Sequence, residues 1–197
     1  MDHFEVFGLP RRLAIDAAAL QRHFYELSRR YHPDFHQRAD PEEQARALEE
    51  SARVNAAYRA LRDPIARVEY LIRLEEGRDT REGATVKPKG PPALLAEMFE
   101  IQEALEEAQA GALTDALRAS LATQRDALRA RRAEAEARIT GPLSAAWDAA
   151  ASGDRPAALA ALKEALATRA YLRTVIDDLD AALGEGTEDT HVANRRH

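Results

Sequence analysis

Residues 32–36 carry side chains whose types and spacing could support chemistry. His32 and Asp34 lie two positions apart with Pro33 between them, and His36 follows. An imidazole beside a carboxylate is the pairing of a general base and its orienting acid. Two histidines and a carboxylate are also potential zinc ligands. The same residues could instead form a contact surface for another protein, or simply end a helix with Tyr31 packed inward and His32 in solvent.

The local sequence argues against catalysis and against metal binding. A catalytic pair must share a hydrogen bond and face a substrate pocket, whereas adjacent loop residues usually diverge, and no nucleophile in a recognisable motif accompanies this pair. His32 and His36 share a face only on a helix, and Pro33 disfavours a helix there. We therefore predict no catalytic residue and no metal ligand at this position.

A helix must bring this segment to the surface. Asp16 is a suitable N-cap, and Ile15 and Leu20 have the spacing of a hydrophobic staple. The helix should end near Tyr31, because a residue before proline avoids helical geometry. Its buried face is predicted to contain Leu20, Phe24, Leu27 and Tyr31. Its outer face keeps Arg22, Arg29 and Arg30.

A second helix is predicted to begin near Pro41, where proline and early acidic residues suit a first turn. Its predicted apolar stripe consists of Ala45, Leu48, Ala52, Asn55, Tyr58 and Leu61. The two helices would form an antiparallel hairpin with His32-Pro33-Asp34 in the loop at its tip.

Composition supports an all-α fold of one or two small domains. The 197 residues are 31% charged and only 6% aromatic, and much of the apolar content is alanine. The absence of cysteine excludes disulfides and thiolate metal sites. A net charge of -6 argues against nonspecific nucleic-acid binding. No segment resembles a signal peptide or a membrane span, so we expect a cytoplasmic protein that does not engage membranes.

The chain divides at a segment rich in glycine, proline and charge. Residues 1–74 form the first predicted domain, 75–92 a linker, 93–183 a three-helix bundle and 184–197 a disordered tail. Breaks are expected at Gly141-Pro142 and at Ser152-Gly153-Asp154. The apolar stripes of the bundle are Leu94, Met98, Ile101, Leu105 and Ala108; Leu113, Leu117, Leu121, Leu128 and Ala135; and Leu159, Leu162, Leu166, Leu172, Ile176, Leu179 and Leu183.

The basic helix, the HPD loop, its antiparallel partner and the sequence NAAYRALRDP together resemble a J-domain. The resemblance implies that His32, Pro33 and Asp34, with Arg22, Arg29 and Arg30, bind a DnaK-type chaperone and stimulate its ATP hydrolysis. Exposed arginines can steer toward an acidic partner, and a rigid loop loses little entropy on docking. Phe35 follows the aspartate where many J-domains have lysine or arginine, which indicates a loop shorter by one residue.

DHFEVFGLP and LRDPIARVEYLIRL further resemble the HscB family of J-type co-chaperones of iron–sulfur cluster assembly. The resemblance is good through about Leu74 and moderate from Ala93 to Glu107, and beyond that it is mainly architectural, apart from a short match near Tyr171. It implies an adaptor without a cofactor and without enzymatic activity of its own. Its partners would be the DnaK-type ATPase HscA and an IscU-type scaffold. The rival interpretations are a J-domain protein with another client and a helical interaction protein whose J-like hairpin is inactive.

The family's client-binding segment matches LLAEMFEIQEALEE in this chain. Carried over by position, the implied contacts are Leu95, Ala96, Phe99, Glu100, Glu103 and Glu107, with Tyr171 on the last helix. Ala96 is smaller than the apolar residue common in the family. Leu95 and Phe99 lie about 100° around the helix from the core stripe. They form either an exposed binding patch, which the resemblance favours, or core beneath a third helix.

Overall fold

The computed structural model describes residues 1–77, 95–109, 111 and 113–184. Every regular element in that part of the chain is helical, which confirms the all-α prediction. The elements are α1 (His3–Val6), α2 (Ala17–Arg30), a 3-10 turn (Pro33–His36), α3 (Pro41–Arg62), α4 (Pro64–Glu75), α5 (Leu95–Gln109), α6 (Asp115–Arg138), a π-helical turn (Ile139–Leu143), α7 (Ser144–Ala149) and α8 (Arg155–Leu183).

Helices α2 and α3 form the predicted hairpin. Asp16 caps α2 by accepting from the N–H groups of Ala18 and Ala19. These hydrogen bonds, together with the nearby Arg22, hold the pKa of Asp16 below its usual value. Phe24 of α2 stacks on Tyr58 of α3 at 4.0 Å between ring centroids. Asp40 caps α3 through the N–H of Glu43. The hairpin therefore has a defined start for each helix and aromatic packing between them.

The buried face of α3 differs from the predicted stripe. Ala47, Val54, Ala57 and Leu61 are buried, whereas Ala45, Leu48, Ala52 and Asn55 are exposed. Only Leu61 and the partly buried Tyr58 were placed correctly. Alanine occurs on several faces of this helix, and such small side chains distinguish a buried face from an exposed one only weakly.

A buried arginine and an aspartate hold the segment that leads into α2. Arg67 of α4 is 5% exposed and donates to the carbonyls of Leu61 and Leu13. Burial lowers the pKa of its guanidinium, while Asp63 and Asp148 oppose that shift. The Asp148 carboxylate accepts from the N–H groups of Leu13 and Ala14, each at 2.8 Å. We call these two hydrogen bonds the Asp148 bridge.

The Asp148 bridge belongs to a compact unit made of two separate stretches of chain. Its described residues are 1–77 and 138–163. Helix α4 packs against the π turn, and Trp147 is buried with the guanidinium of Arg155 over its ring at 5.2 Å. Residues 138–163 were predicted to belong to the C-terminal bundle, and they pack instead with the N-terminal helices. We call this assembly unit 1.

The predicted break at Gly141-Pro142 is a π turn between two helices. Pro142 has no N–H to donate, which interrupts the helical hydrogen bonding at this turn. The hydroxyl of Ser144 donates to the Ile139 carbonyl at 2.6 Å. The other predicted break, Ser152–Asp154, is a turn before α8.

Unit 2 contains α5, α6 and the later part of α8, with described residues between 95 and 137 and between 164 and 184. Its core joins all three elements. The buried residues are Ile101, Leu121, Leu128, Leu172, Val175, Ile176, Leu179 and Leu183. On the outside of α6, Arg129 binds both carboxylate oxygens of Asp180 at 2.9 Å.

Parts of the predicted organisation fall outside the described residues. They are the linker from residue 78 onward and the tail beyond residue 184. Within the described ranges, no helix combines the length and the apolar character that crossing a bilayer requires.

Candidate functional site

The HPD tripeptide lies at the exposed tip of the hairpin, as predicted. Helix α2 ends at Arg30, and Tyr31 follows as its C-cap. His32 then caps a short 3-10 turn that begins with Pro33. Proline fixes its own φ, so the turn starts with a restricted backbone. His32, Pro33 and Asp34 are all exposed, and so they are accessible to a protein partner.

The contact between His32 and Asp34 is local. The Nδ1 atom of His32 accepts from the backbone N–H of Asp34 at 3.2 Å. The same nitrogen lies 3.5 Å from the Asp34 carboxylate. A neutral ring that accepts at Nδ1 keeps its proton at Nε2, which leaves Nε2–H available to a partner. This arrangement shapes the loop and presents a donor to solvent.

Phe35 is an exposed apolar side chain at the tip. It is 67% exposed, and its ring and the His32 ring are T-shaped to each other at 6.0 Å between centroids. In the sequence, Phe35 stands out only because many J-domains have a basic residue at this position. In the structure, it extends the surface of the tripeptide with an aromatic face.

His36 does not join His32 and Asp34. Its Nε2 lies 3.0 Å from the Arg30 carbonyl, and its Nδ1 lies 3.3 Å from the Glu43 carboxylate. The hypothetical metal trio His32, Asp34 and His36 is therefore not assembled in this conformation. Among the described residues, no group of three or more candidate ligands is placed to hold a metal ion.

The basic residues predicted on α2 are exposed. In the part of the chain that the structure describes, no carboxylate forms an ion pair with Arg22, Arg29 or Arg30. The guanidinium of Arg30 lies over the Tyr31 ring at 5.5 Å. These cations therefore remain available to an acidic partner, and Arg29 and Arg30 lie in the last turn of the helix that leads into the tip.

The proposed client surface on α5 is partly described. Phe99 is 76% exposed, whereas Ile101 on the same helix is 1% exposed. Glu100, Glu103 and Glu107 are also exposed. The side chains of Leu95 and Ala96 lie outside the described residues. Phe99 therefore points away from the core of unit 2 and presents an aromatic ring beside carboxylates.

Tyr171 has a different environment from Phe99. It is partly buried and packs against the hydrophobic core of unit 2. Its ring therefore contributes to that core, while the exposed part of the residue is open to a partner. Its assignment to the client surface stays a prediction.

Comparison with known proteins shows similarity to the DnaJ domain and to proteins named HscB. Residues 2–70 match the DnaJ domain. A protein from Vibrio vulnificus named co-chaperone protein HscB homolog is 39% identical over 108 residues, which cover 54% of this chain and 61% of that relative. A homolog of the same name from Vibrio campbellii is 38% identical over 108 residues. The match thus spans about three fifths of the length of these relatives.

Solved structures match over a larger share of the chain. The chaperone HscB from Vibrio cholerae is 27% identical, with a TM-score of 0.53 over 91% of this chain and 99% of that protein. The human co-chaperone protein HscB is 25% identical, with a TM-score of 0.61 over 92% of this chain and 81% of that protein.

Proposed function

We propose that this chain, which is similar to the HscB-type J-domain proteins, is a co-chaperone that acts as an adaptor. Unit 1 would dock on the ATP-bound form of a DnaK-type chaperone of the HscA kind and accelerate its ATP hydrolysis. Unit 2 would bind an IscU-type iron–sulfur scaffold protein and deliver it to that chaperone. The chain itself would regulate a partner's ATPase and carry out no reaction.

The observation that carries the chaperone half is the exposed tip. His32, Pro33 and Asp34 stand in solvent on a short turn, and the unpaired arginines of α2 lead into it. The cations would steer the approach to an acidic surface of the chaperone. The restricted turn would limit the entropy lost on docking. In this proposal, His32, Pro33 and Asp34 contact the chaperone, and Arg22, Arg29 and Arg30 orient the encounter.

The scaffold half of the proposal is supported by the exposure of Phe99 and by the named relatives. Phe99 would be the apolar anchor, surrounded by Glu100, Glu103 and Glu107. Leu95, Ala96 and Tyr171 complete the proposed surface. Because one chain would hold both partners, the second encounter becomes effectively intramolecular, and weak individual contacts suffice. The iron–sulfur cluster would travel on the scaffold, so the adaptor would need no cofactor.

The deciding experiment measures steady-state ATP hydrolysis by the DnaK-type chaperone, with and without the scaffold, for wild type and His32→Gln. We expect stimulation that requires His32 and is enhanced by the scaffold. Stimulation indifferent to the scaffold would indicate a general J-domain co-chaperone, whose client a pull-down would then identify. No stimulation at any protein concentration would contradict the chaperone half and leave a helical interaction protein.

A further inference from the structure

His36 bridges the two helices of the hairpin directly beneath the tip. Its side chain is 22% exposed, compared with 53% for His32. Nε2 lies 3.0 Å from the carbonyl of Arg30, the last residue of α2. Nδ1 lies 3.3 Å from the carboxylate of Glu43, in the first turn of α3. One imidazole ring therefore connects the end of one helix to the start of the next.

Both neighbours of the ring are hydrogen-bond acceptors. A carbonyl oxygen only accepts, and so does an ionised carboxylate, so each ring nitrogen must donate. A neutral imidazole carries a single N–H, and in either tautomer one nitrogen would face an oxygen lone pair without a proton. The imidazolium carries two N–H groups and satisfies both acceptors. The bridge is therefore complete only when His36 is protonated.

We propose that His36 is a positioning residue for the HPD tip, and that its protonated ring closes a latch between α2 and α3. The latch consists of His36, the Arg30 carbonyl and Glu43. It acts through the geometry of His32 and Asp34 without touching the chaperone. Closing the latch holds the tip in its docking conformation, so stimulation of the chaperone increases when the ring is protonated. This inference rests on the docking role proposed above.

Other charged groups surround the latch and must be separated from it. From α2, Glu26 and Arg29 line the groove on one side of His36. A second groove at His36, which Glu43 also lines, is lined by Asp40, Glu42, Arg46 and Glu50. Glu42 pairs with Arg46 at 3.1 Å. Glu42→Gln therefore removes a carboxylate from the same groove without removing a latch partner, which makes it the matched control for Glu43→Gln.

The test uses the full chain and compares chaperone stimulation at about pH 6 and pH 8, on either side of the usual histidine range. At each pH, the stimulation by wild type is divided by the stimulation by His36→Gln. This division removes the pH response of the chaperone itself and of His32. We expect the wild-type ratio of stimulation at low and high pH to exceed that of His36→Gln by about two- to fivefold, the range for an exposed ion pair. Glu42→Gln should behave like wild type.

Glu43→Gln should flatten the pH response while keeping stimulation near the wild-type value at low pH. The new amide can donate to a neutral Nδ1, while Nε2–H still donates to the Arg30 carbonyl. The latch would be overturned if wild type and His36→Gln had equal ratios of stimulation at low and high pH. It would also be overturned if Glu43→Gln kept the pH response of wild type.

Ring signals in nuclear magnetic resonance separate failure of the latch from failure of the proposed function. We expect two exchange-protected ring N–H protons on His36 at low pH and one at high pH. Rapid exchange of both at low pH would overturn the latch even if stimulation is normal. If the wild-type protein stimulates the chaperone at no pH, the proposed function is wrong, and so is the positioning role of His36. Protected ring protons on His36 would in that case show that its contacts are a structural bridge alone.

Discussion

Phe99 and Ile101 lie two positions apart on α5 and have opposite surroundings. Ile101 is 1% exposed within the core of unit 2, and Phe99 is 76% exposed. The helical period predicts such a difference, because two positions correspond to about 200° around the axis. An exposed phenylalanine contributes little to folding, whereas it can contribute about 1.5–3 kcal/mol when a partner buries it.

Phe99→Ala should therefore weaken scaffold binding by about tenfold or more. Chaperone stimulation without scaffold should be unchanged, because the HPD tip is intact. Titration calorimetry with the IscU-type scaffold measures the affinity, and an unchanged affinity would count against the client surface. Ile101→Ala is the contrasting variant: it should lower the free energy of unfolding by about 2–5 kcal/mol, whereas Phe99→Ala should change it by less than about 0.5 kcal/mol.

His3 gives a pH dependence of stability. Its ring stacks on Tyr70 at 4.3 Å between centroids, and burial lowers its pKa, with Arg73 adding to the effect and Asp2 opposing it. The unfolded chain binds the proton more readily than the folded one. The contribution of neutral His3 is therefore complete above the unfolded pKa of about 6.5. It is lost as pH falls from there through the folded pKa.

His3→Phe should keep the stacking on Tyr70 and remove this titration. Urea unfolding at several pH values would measure the difference in stability between the two proteins. Wild type should lose stability relative to His3→Phe as pH falls below about 6.5. A difference that stays constant across this range would show that protonation of His3 is not linked to folding.

At the scale of elements, the hairpin was predictable because its signals are local. The Asp16 cap, the periodicity of α2 and the proline at the tip all act within a few residues. The buried face of α3 was mispredicted because alanine marks no face strongly. The Asp148 bridge had no local signal, since its hydrogen bonds join residues 135 and 134 positions apart. The His36 contacts depend likewise on how closely two helix ends approach.

The Asp148 bridge yields a prediction for α2 and the segment before it. Asp148→Ala leaves the N–H groups of Leu13 and Ala14 without their acceptor, and Leu13 is buried. Each unmet buried donor costs about 1–3 kcal/mol. Because Ala14 is exposed, water can replace the acceptor of its N–H. We therefore expect Asp148→Ala to lower the free energy of unfolding by about 1–3 kcal/mol in total, as measured by urea denaturation. Asp177→Ala, at an exposed position, is the control, and equal losses in the two variants would contradict the bridge.

At the scale of the whole molecule, the sequence predicted an N-terminal J-domain and a helical region after it, and both are present. It did not predict that residues 138–163 pack with the N-terminal helices. Sequence patterns report the face that an element buries. They do not report which distant element covers that face. The position of the HPD tip could be predicted because the tripeptide lies between two helices with clear local signals, whereas its role and the client surface stay predictions.

A fragment of residues 1–77 should accordingly be less stable than the same residues in the full chain. It lacks the Asp148 carboxylate and the π turn that packs against α4. Amide hydrogen exchange by nuclear magnetic resonance should show faster exchange along α4 and at Leu13 and Ala14 in the fragment. Equal protection in the fragment and the full chain would mean that residues 138–163 add nothing to the stability of the J-domain.

The burial of Trp147 gives the protein a natural optical probe. Trp147 is the only tryptophan in the sequence, and it lies in unit 1 with 2% of its surface exposed. Its fluorescence should shift to longer wavelengths only when unit 1 opens, while circular dichroism sums the helices of both units. Monitoring one denaturation by both signals would therefore separate the melting of unit 1 from that of unit 2, without a label or a substitution.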